Sequence, residues 1–165
     1  MKHILVVVAA ALVLAGCGLS ALEGFVASQY AGTYKGTWTN TTTGATGGGS
    51  VTVALDAASH VAKLTLQFDG NYLGLKDLPP IAMTGTYDSN GAVVKGTDAI
   101  MGDYNITIDR KGKIVGLLTG LAGGTIPEMS YTGQLTKDKI ETDYKVTLAD
   151  GRVMNSTFRA QKVTN

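Results

Sequence analysis

From Gly32 onward, apolar and polar residues alternate with a period of two. In "GTYKGTWT", Tyr34, Gly36 and Trp38 share one face, and Thr33, Lys35 and Thr37 share the other. "SVTVALD" sets Val51, Val53 and Leu55 against Ser50, Thr52 and Ala54, and "AKLTLQFD" sets Leu64, Leu66 and Phe68 against Lys63, Thr65 and Gln67. The pattern continues through "IAMTGTYD", "AVVKGT", "DYNITID", "KIVGLLT", "SYTGQLT", "KIETDYKVTL" and "VMNSTFRA", making about ten strands in all. Successive side chains of a strand point to opposite faces, so alternation marks antiparallel strands with one dry face and one wet face. The richness in threonine and β-branched residues agrees, and no segment after residue 31 has a helical period. The expected fold is all-β: an antiparallel up-and-down meander of 8–10 strands closed into a barrel over residues 32–163. Closure removes the unpaired edges that a long meander would otherwise expose.

The punctuation of the chain orients this barrel. "DAASH", "DSNG", "DRKGK" and "TKDK" are tight-turn sequences, whereas "NTTTGATGGG", "DGNYLGLKDLPP", "DAIMGD" and "GLAGGTIPE" are longer. Long and short connections alternate up to the eighth strand, and successive connections of a meander lie at opposite ends of the sheet. The long loops therefore gather at one end and the short charged turns at the other, with the short "ADG" turn as an exception at the long-loop end. "GATGGGS" lacks the Lys-Ser/Thr ending and following helix of a phosphate loop, and reads as a flexible hairpin loop. "GTYKGTW", "TGTYDSNG" and "YTGQLTKD" each put a Thr/Gly pair near an aromatic residue or leucine. Glycines inside strands predict the bends that curl a sheet into a barrel.

The N-terminus has a different character. Lys2 and His3 precede an uncharged apolar run, Ile4 to Leu14, too short for the roughly 20 residues of a membrane span. It has the length of a signal-peptide core. Directly after it, "LAGC" (Leu14 to Cys17) resembles the lipobox of bacterial lipoproteins. The resemblance implies that residues 1–16 are a signal peptide, and that Cys17, the sole cysteine, carries the lipid and becomes the new N-terminus. That lipid would be a diacylglyceryl group on the sulfur, whose two acyl chains give stable anchoring, with a further acyl chain (palmitate-type) on the new amino group. Gly18 after the cysteine implies sorting to the outer membrane in a two-membrane cell, and hence a cell-envelope location. Residues 17–31 read as the lipidated tether, with a short helix possible around Leu22, Phe25, Val26 and Tyr30. A single cysteine excludes an internal disulfide.

Charge narrows the function classes. The chain has 14 basic and 13 acidic side chains. Loss of the signal removes Lys2 and no acid, so the 149-residue remainder is balanced at 13 against 13. Without a basic cluster, a nucleic-acid partner is not expected. His60 sits in a turn with no orienting partner in the sequence, so no acid–base catalytic set is read. One lipidated cysteine and one histidine cannot form a Cys/His metal set. Asp69, Asn71, Asp77, Asp98, Asp103 and Glu128 lie in the long connections, but "DGNYLGLKD" lacks calcium-loop spacing, so turn capping is their expected role and no metal or cofactor is predicted.

What remains is apolar. Tyr72, Leu73, Leu75, Leu78, Ile100, Met101, Leu121 and Ile126 fall between predicted strands. Gathered at one end, they form either a plug over the core or the rim of a ligand site. "GTWTNTTTGATGGGSVTV" is similar to the first hairpin of avidin-like proteins, "TGTYDSNG" to one of their later turns, and the Gly-x-Trp opening to lipocalins. The resemblance implies barrel architecture with Trp38 packing at its base or wall. It does not imply biotin binding, which in avidins uses several tryptophans where this chain has only Trp38. The expected function is non-enzymatic: an exported, membrane-anchored barrel binding a small apolar ligand or an envelope protein at its long-loop end. The alternative is a structural or assembly lipoprotein with a filled barrel. A porin-like barrel would reverse the alternation, with apolar residues outside and polar ones inside.

Overall fold

All ten alternating segments form strands in the computed structural model, which describes residues 25–76 and 78–164. A 3-10 turn, Ala27–Tyr30, precedes β1 (Gly32–Asn40), β2 (Thr46–Asp56) and β3 (Val61–Phe68). A small hairpin follows, β4 (Asn71–Tyr72) and β5 (Leu75–Lys76). Then come β6 (Ile81–Asp88), β7 (Gly91–Asp98), β8 (Gly102–Asp109), β9 (Lys113–Leu121), β10 (Ile126–Leu135), β11 (Lys139–Thr147) and β12 (Val153–Lys162). Every barrel strand pairs antiparallel with its sequence neighbours, and β1 pairs with β12 from Tyr34↔Lys162 to Asn40↔Ser156, closing a ten-stranded barrel. The β4–β5 hairpin stands outside this ladder.

The apolar face points inward. Tyr34, Trp38, Val51, Met83, Val94, Ile106, Leu118, Tyr144, Val146 and Phe158 belong to one buried cluster, while Lys35, Lys63, Lys95, Asp143, Lys145 and Arg159 lie exposed on the outside. This is the reverse of a membrane-spanning barrel, whose outer band is apolar.

Three inward glycines mark the corners. A Cβ at Gly36 would collide with the Arg159 carbonyl oxygen, one at Gly85 with that of Val93, and one at Gly133 with that of Glu141. These are the glycines of the three Thr/Gly segments, and each lets a neighbouring backbone approach where the sheet bends most sharply. At Gly85 the bend also splits a hairpin. β6 and β7 pair only from Asp88↔Gly91 to Gly85↔Val94. Beyond that point Ile81–Thr84 pairs with β3 alone and Lys95–Asp98 with β8 alone, leaving a seam in the wall.

The ends differ as the connections predict. At the short-turn end, side chains cap the turns. Asp56 Oδ1 accepts from the Ala58 and Ser59 amides (3.0 and 3.3 Å), Asp88 Oδ1 from Asn90 (2.7 Å), and Asp109 Oδ1 from Lys111 and Lys113 (2.8 and 3.0 Å). Thr136 Oγ1 serves Lys139 in the same way (3.0 Å). At the other end Asp150 caps the "ADG" turn through Arg152 (3.0 Å). These bonds stabilise the ionised carboxylates. They hold Asp56 (chiefly through Ser59), Asp88 (through Asn90) and Asp150 (through Arg152) below the usual carboxylate range.

One connection departs from expectation. "GATGGGS" is not a flexible loop, because β2 already begins at Thr46 and Gly47–Gly49 are strand residues paired to β1. The glycines leave room for aromatic rings and for the loop after β3. A Cβ at Gly47 would sit 2.7 Å from the Trp38 ring, one at Gly48 2.7 Å from the Asp69 carboxylate, and one at Gly49 2.9 Å from the Phe158 ring. Similarly, Leu121 and Ile126 are paired strand residues rather than loop residues. Gly120, at φ +71°, breaks the alternation there, and Leu121 and its partner Ile126 are both buried.

Candidate ligand-binding interior

The barrel is not filled. A hollow of about 150 Å³ runs from Phe25 and Tyr30 at the short-turn end to Tyr72 at the long-loop end. Its lining is aliphatic and aromatic, with the hydroxyls of tyrosines and of Thr142 as its only polar side-chain groups and no charged residue. The hollow is off-centre. Val53 and Leu55 on β2, and Leu64, Leu66 and Phe68 on β3, line it and remain only half-buried. Elsewhere in the ring Tyr34, Leu118 and Val146 are completely buried and do not line the hollow.

Both ends are closed. Phe25 stacks on Tyr30 with ring centroids 5.0 Å apart, and the Phe25 amide donates to the Ser89 carbonyl (2.8 Å). The Tyr34 hydroxyl donates to the Tyr30 carbonyl (3.0 Å), and Lys162 Nζ to that of Gln29 (3.0 Å). Residues 25–31 are thus docked across the short-turn end. Burial pushes the Tyr34 phenol up to about 12. At the far end the β4–β5 hairpin folds Tyr72 inward. Its ring stacks on Phe68 (4.1 Å, 3° between planes), meets Trp38 edge-on at 5.4 Å, and tilts against Tyr144 at 6.2 Å. Trp38 Nε1 donates to the Asp69 carbonyl (3.1 Å), so Trp38 packs at the long-loop end rather than at the base.

Of the eight apolar residues singled out in the sequence, Tyr72 and Met101 line the hollow. Leu121 and Ile126 are buried in the core, and Leu73, Leu78 and Ile100 pack against it half-buried. Leu75 is half-buried on β5. The loops bring these residues together as a lid over the barrel end. The candidate carboxylates have other occupations. Asp98 Oδ1 accepts from the Ile100 and Met101 amides (2.8 and 3.0 Å), and Asp103 Oδ1 from the Thr97 hydroxyl (2.6 Å). Among the described residues, no three His, Cys, Asp or Glu side chains group as for a metal ion. His60 is an exposed turn residue beside Tyr87. Cys17 and Asp77 lie outside the described residues.

A polar feature of the interior has only a faint trace in the sequence. Tyr144 on β11 is in register with Tyr131 on one side and Ser156 on the other. The Tyr144 hydroxyl, which lines the hollow, and Ser156 Oγ, which lies outside its lining, are buried with only each other and the Tyr72 hydroxyl as side-chain partners. Burial raises the phenols of Tyr72, Tyr131 and Tyr144 above the ordinary tyrosine range. The signal in the sequence is Thr142 and Ser156, two polar residues in phase with the apolar face of their strands.

No protein-family model and no curated protein matches the chain. Among solved structures, it is similar to a DUF3598-family protein of unknown function from Nostoc punctiforme (TM-score 0.58, 12% identity, 82% of this chain covered). The chain spans about half of that protein, 48% of its length. An S-type phycobiliprotein lyase from Guillardia theta aligns over 84% of this chain and 89% of its own, at TM-score 0.48 and 7% identity. Identities this low speak to fold alone, and the fold is an all-β, antiparallel, ten-stranded closed barrel of lipocalin-like outline.

Proposed function

We propose that this protein is a binding protein that holds a small apolar ligand inside its barrel and performs no chemistry on it. The observation that carries this reading is the hollow: an apolar space of about 150 Å³ inside the barrel. A dry cavity of this size in other proteins admits a molecule such as benzene. General acid–base catalysis requires a titratable group poised near the working pH, and the titratable groups of the lining are tyrosine phenols, of which Tyr72, Tyr131 and Tyr144 are raised by burial. The ligand contacts the β2–β3 wall, with the Tyr72 hairpin over it as a lid. Native mass spectrometry of the purified protein tests the reading: a retained small molecule, or uptake of an added aromatic hydrocarbon, supports it. A barrel that stays empty under excess hydrocarbon is a structural or assembly component instead.

The second part of the proposal concerns location. The lipobox-like "LAGC" supports export and lipid attachment at Cys17 in the cell envelope. Residue 25 is docked at the short-turn end, which supports that end facing the membrane. Cys17→Ala should move the protein from the membrane fraction to the soluble fraction; unchanged fractionation rules the anchor out.

A further inference from the structure

The seam between β6 and β7 is a gap in an otherwise paired wall. Past Gly85↔Val94 the two strands part, and Ile81–Thr84 and Lys95–Asp98 run on without pairing to each other. Exposure changes at the same point. Val94 is completely buried, yet Lys95, Gly96 and Thr97 are exposed in succession. Gly96 is in phase with Val94 and in register with buried Tyr104, so its position faces inward. Inward glycines on paired stretches differ: Gly116 is buried, and Gly36 and Gly133 are half-buried. The exposure of Gly96 therefore marks an opening through the wall. The Tyr104 ring lies beneath it, since a Cβ on Gly96 would stand 2.7 Å from the Tyr104 hydroxyl oxygen. The opening adjoins the hollow: Met83 and Val94, on the two sides of the seam, and Met101, just past β7, belong to the lining.

We infer that the ligand enters and leaves the barrel through this seam, and that Gly96, with the Tyr104 ring below it, sets the width of the molecules that pass. Elsewhere in the ring, parting two strands breaks main-chain hydrogen bonds, which are costly to leave unmade in an apolar wall. Entry at the short-turn end displaces the docked residues 25–31, and entry at the long-loop end unstacks Tyr72 from Phe68 and Trp38. At the seam only side chains have to move: the Tyr104 ring, and Met83 and Met101, whose unbranched chains are the most adaptable of apolar side chains. Such a doorway selects slim molecules, linear or flat. It acts on rates rather than on affinity, because neither Gly96 nor Tyr104 lines the hollow. This inference rests on the proposed binding function and adds the route and the size limit to it.

Fluorobenzene is the probe. Fluorine NMR on the full chain follows its exchange between free and bound signals and yields Kd and both rate constants. Gly96→Ile narrows the opening. Leu73→Gly loosens the lid instead, because Leu73 holds a left-handed φ of +54° in the turn between Tyr72 and Leu75 and packs half-buried against the core. Gly96→Ile should slow association and dissociation alike by about tenfold, the barrier raised by one overpacked contact on the path, and should leave Kd within about twofold. Gly96→Ala should fall between the native protein and Gly96→Ile, and it gives the same test if the larger side chain prevents folding. Leu73→Gly should leave both rates unchanged. Rates that the Gly96 variants do not alter, or that Leu73→Gly accelerates, overturn the seam as the doorway while the hollow stands as a binding site. So does a Kd weakened as much as association is slowed, which makes Gly96 part of the site itself. Failure of fluorobenzene to bind the native protein overturns the binding function, and the inference with it.

Discussion

The wall formed by β2 and β3 and the wall formed by β9–β12 with β1 belong to one closed ladder, yet they treat their inner faces differently. On the second wall Met129, Tyr131, Tyr144 and Phe158 line the far side of the hollow, while Tyr34, Trp38, Leu118 and Val146 are buried in packing that the hollow does not reach. On β2 the inward positions are Gly47, Gly49, Val51, Val53 and Leu55. Small residues there leave the half-buried leucines of β3 facing a space rather than a partner. The hollow therefore comes from how side-chain volume is distributed around the ring, not from barrel closure as such. Close packing elsewhere in the same interior makes this asymmetry a property of the site.

Base should break the distinction outright. Tyr34, Tyr131 and Tyr144 belong to the second wall and Tyr72 to the lid, and all four phenols are raised by burial. Each binds its proton more tightly folded than unfolded. The stability they contribute is therefore whole below about pH 10 and is lost as pH climbs through their raised values, about 12 for Tyr34. Absorbance at 295 nm should show these tyrosines ionising together with the loss of near-ultraviolet circular dichroism. Their ionisation near pH 10 in an intact barrel contradicts their burial.

Paired truncations give the next largest effect. Leu118→Ala opens a void in a solid wall and should cost about 3–5 kcal/mol in urea unfolding, whereas Leu64→Ala enlarges an existing space and should cost about 1–2 kcal/mol. Equal losses would erase the difference between the walls. Enlargement probes it from the other side: Val146→Leu overpacks and should cost about 1–3 kcal/mol, while Val53→Leu extends into the hollow and should be neutral or stabilise by up to about 1 kcal/mol. Val53→Leu should also weaken the binding of an added hydrocarbon. The smallest effect belongs to the seam. In native-state hydrogen exchange, alternate amides of Ile81–Thr84 and Lys95–Asp98 should exchange well before those of β10 and β11.

The strands, the placement of the ends and the three corner glycines were legible because alternation, turn residues and in-strand glycines are local signals with direct physical causes. The lid was half legible: Tyr72 and Met101 announced themselves as apolar residues outside predicted strands, but only packing shows that they close the hollow while Leu121 and Ile126 join the core. The run Gly47–Gly49 misled, since glycine usually marks flexibility. Here it marks space taken by Trp38, Phe158 and the Asp69 carboxylate, which approach from other strands or from the loop after β3. Tyr144 and Ser156 are 12 positions apart in the chain and meet only across the β11–β12 ladder. Their relation is a register, and no single segment contains it.

The pairing of β1 with β12 has a consequence for the order in which this molecule can come into being. The first barrel strand waits for the last: until Val153–Lys162 is available, Gly32–Asn40 has only one partner and the ring stays an open sheet with two free edges. That final strand is the last of the barrel to be made, and contacts of such long sequence separation form slowly. Synthesis therefore leaves an interval in which nine barrel strands are made but the ring is not closed.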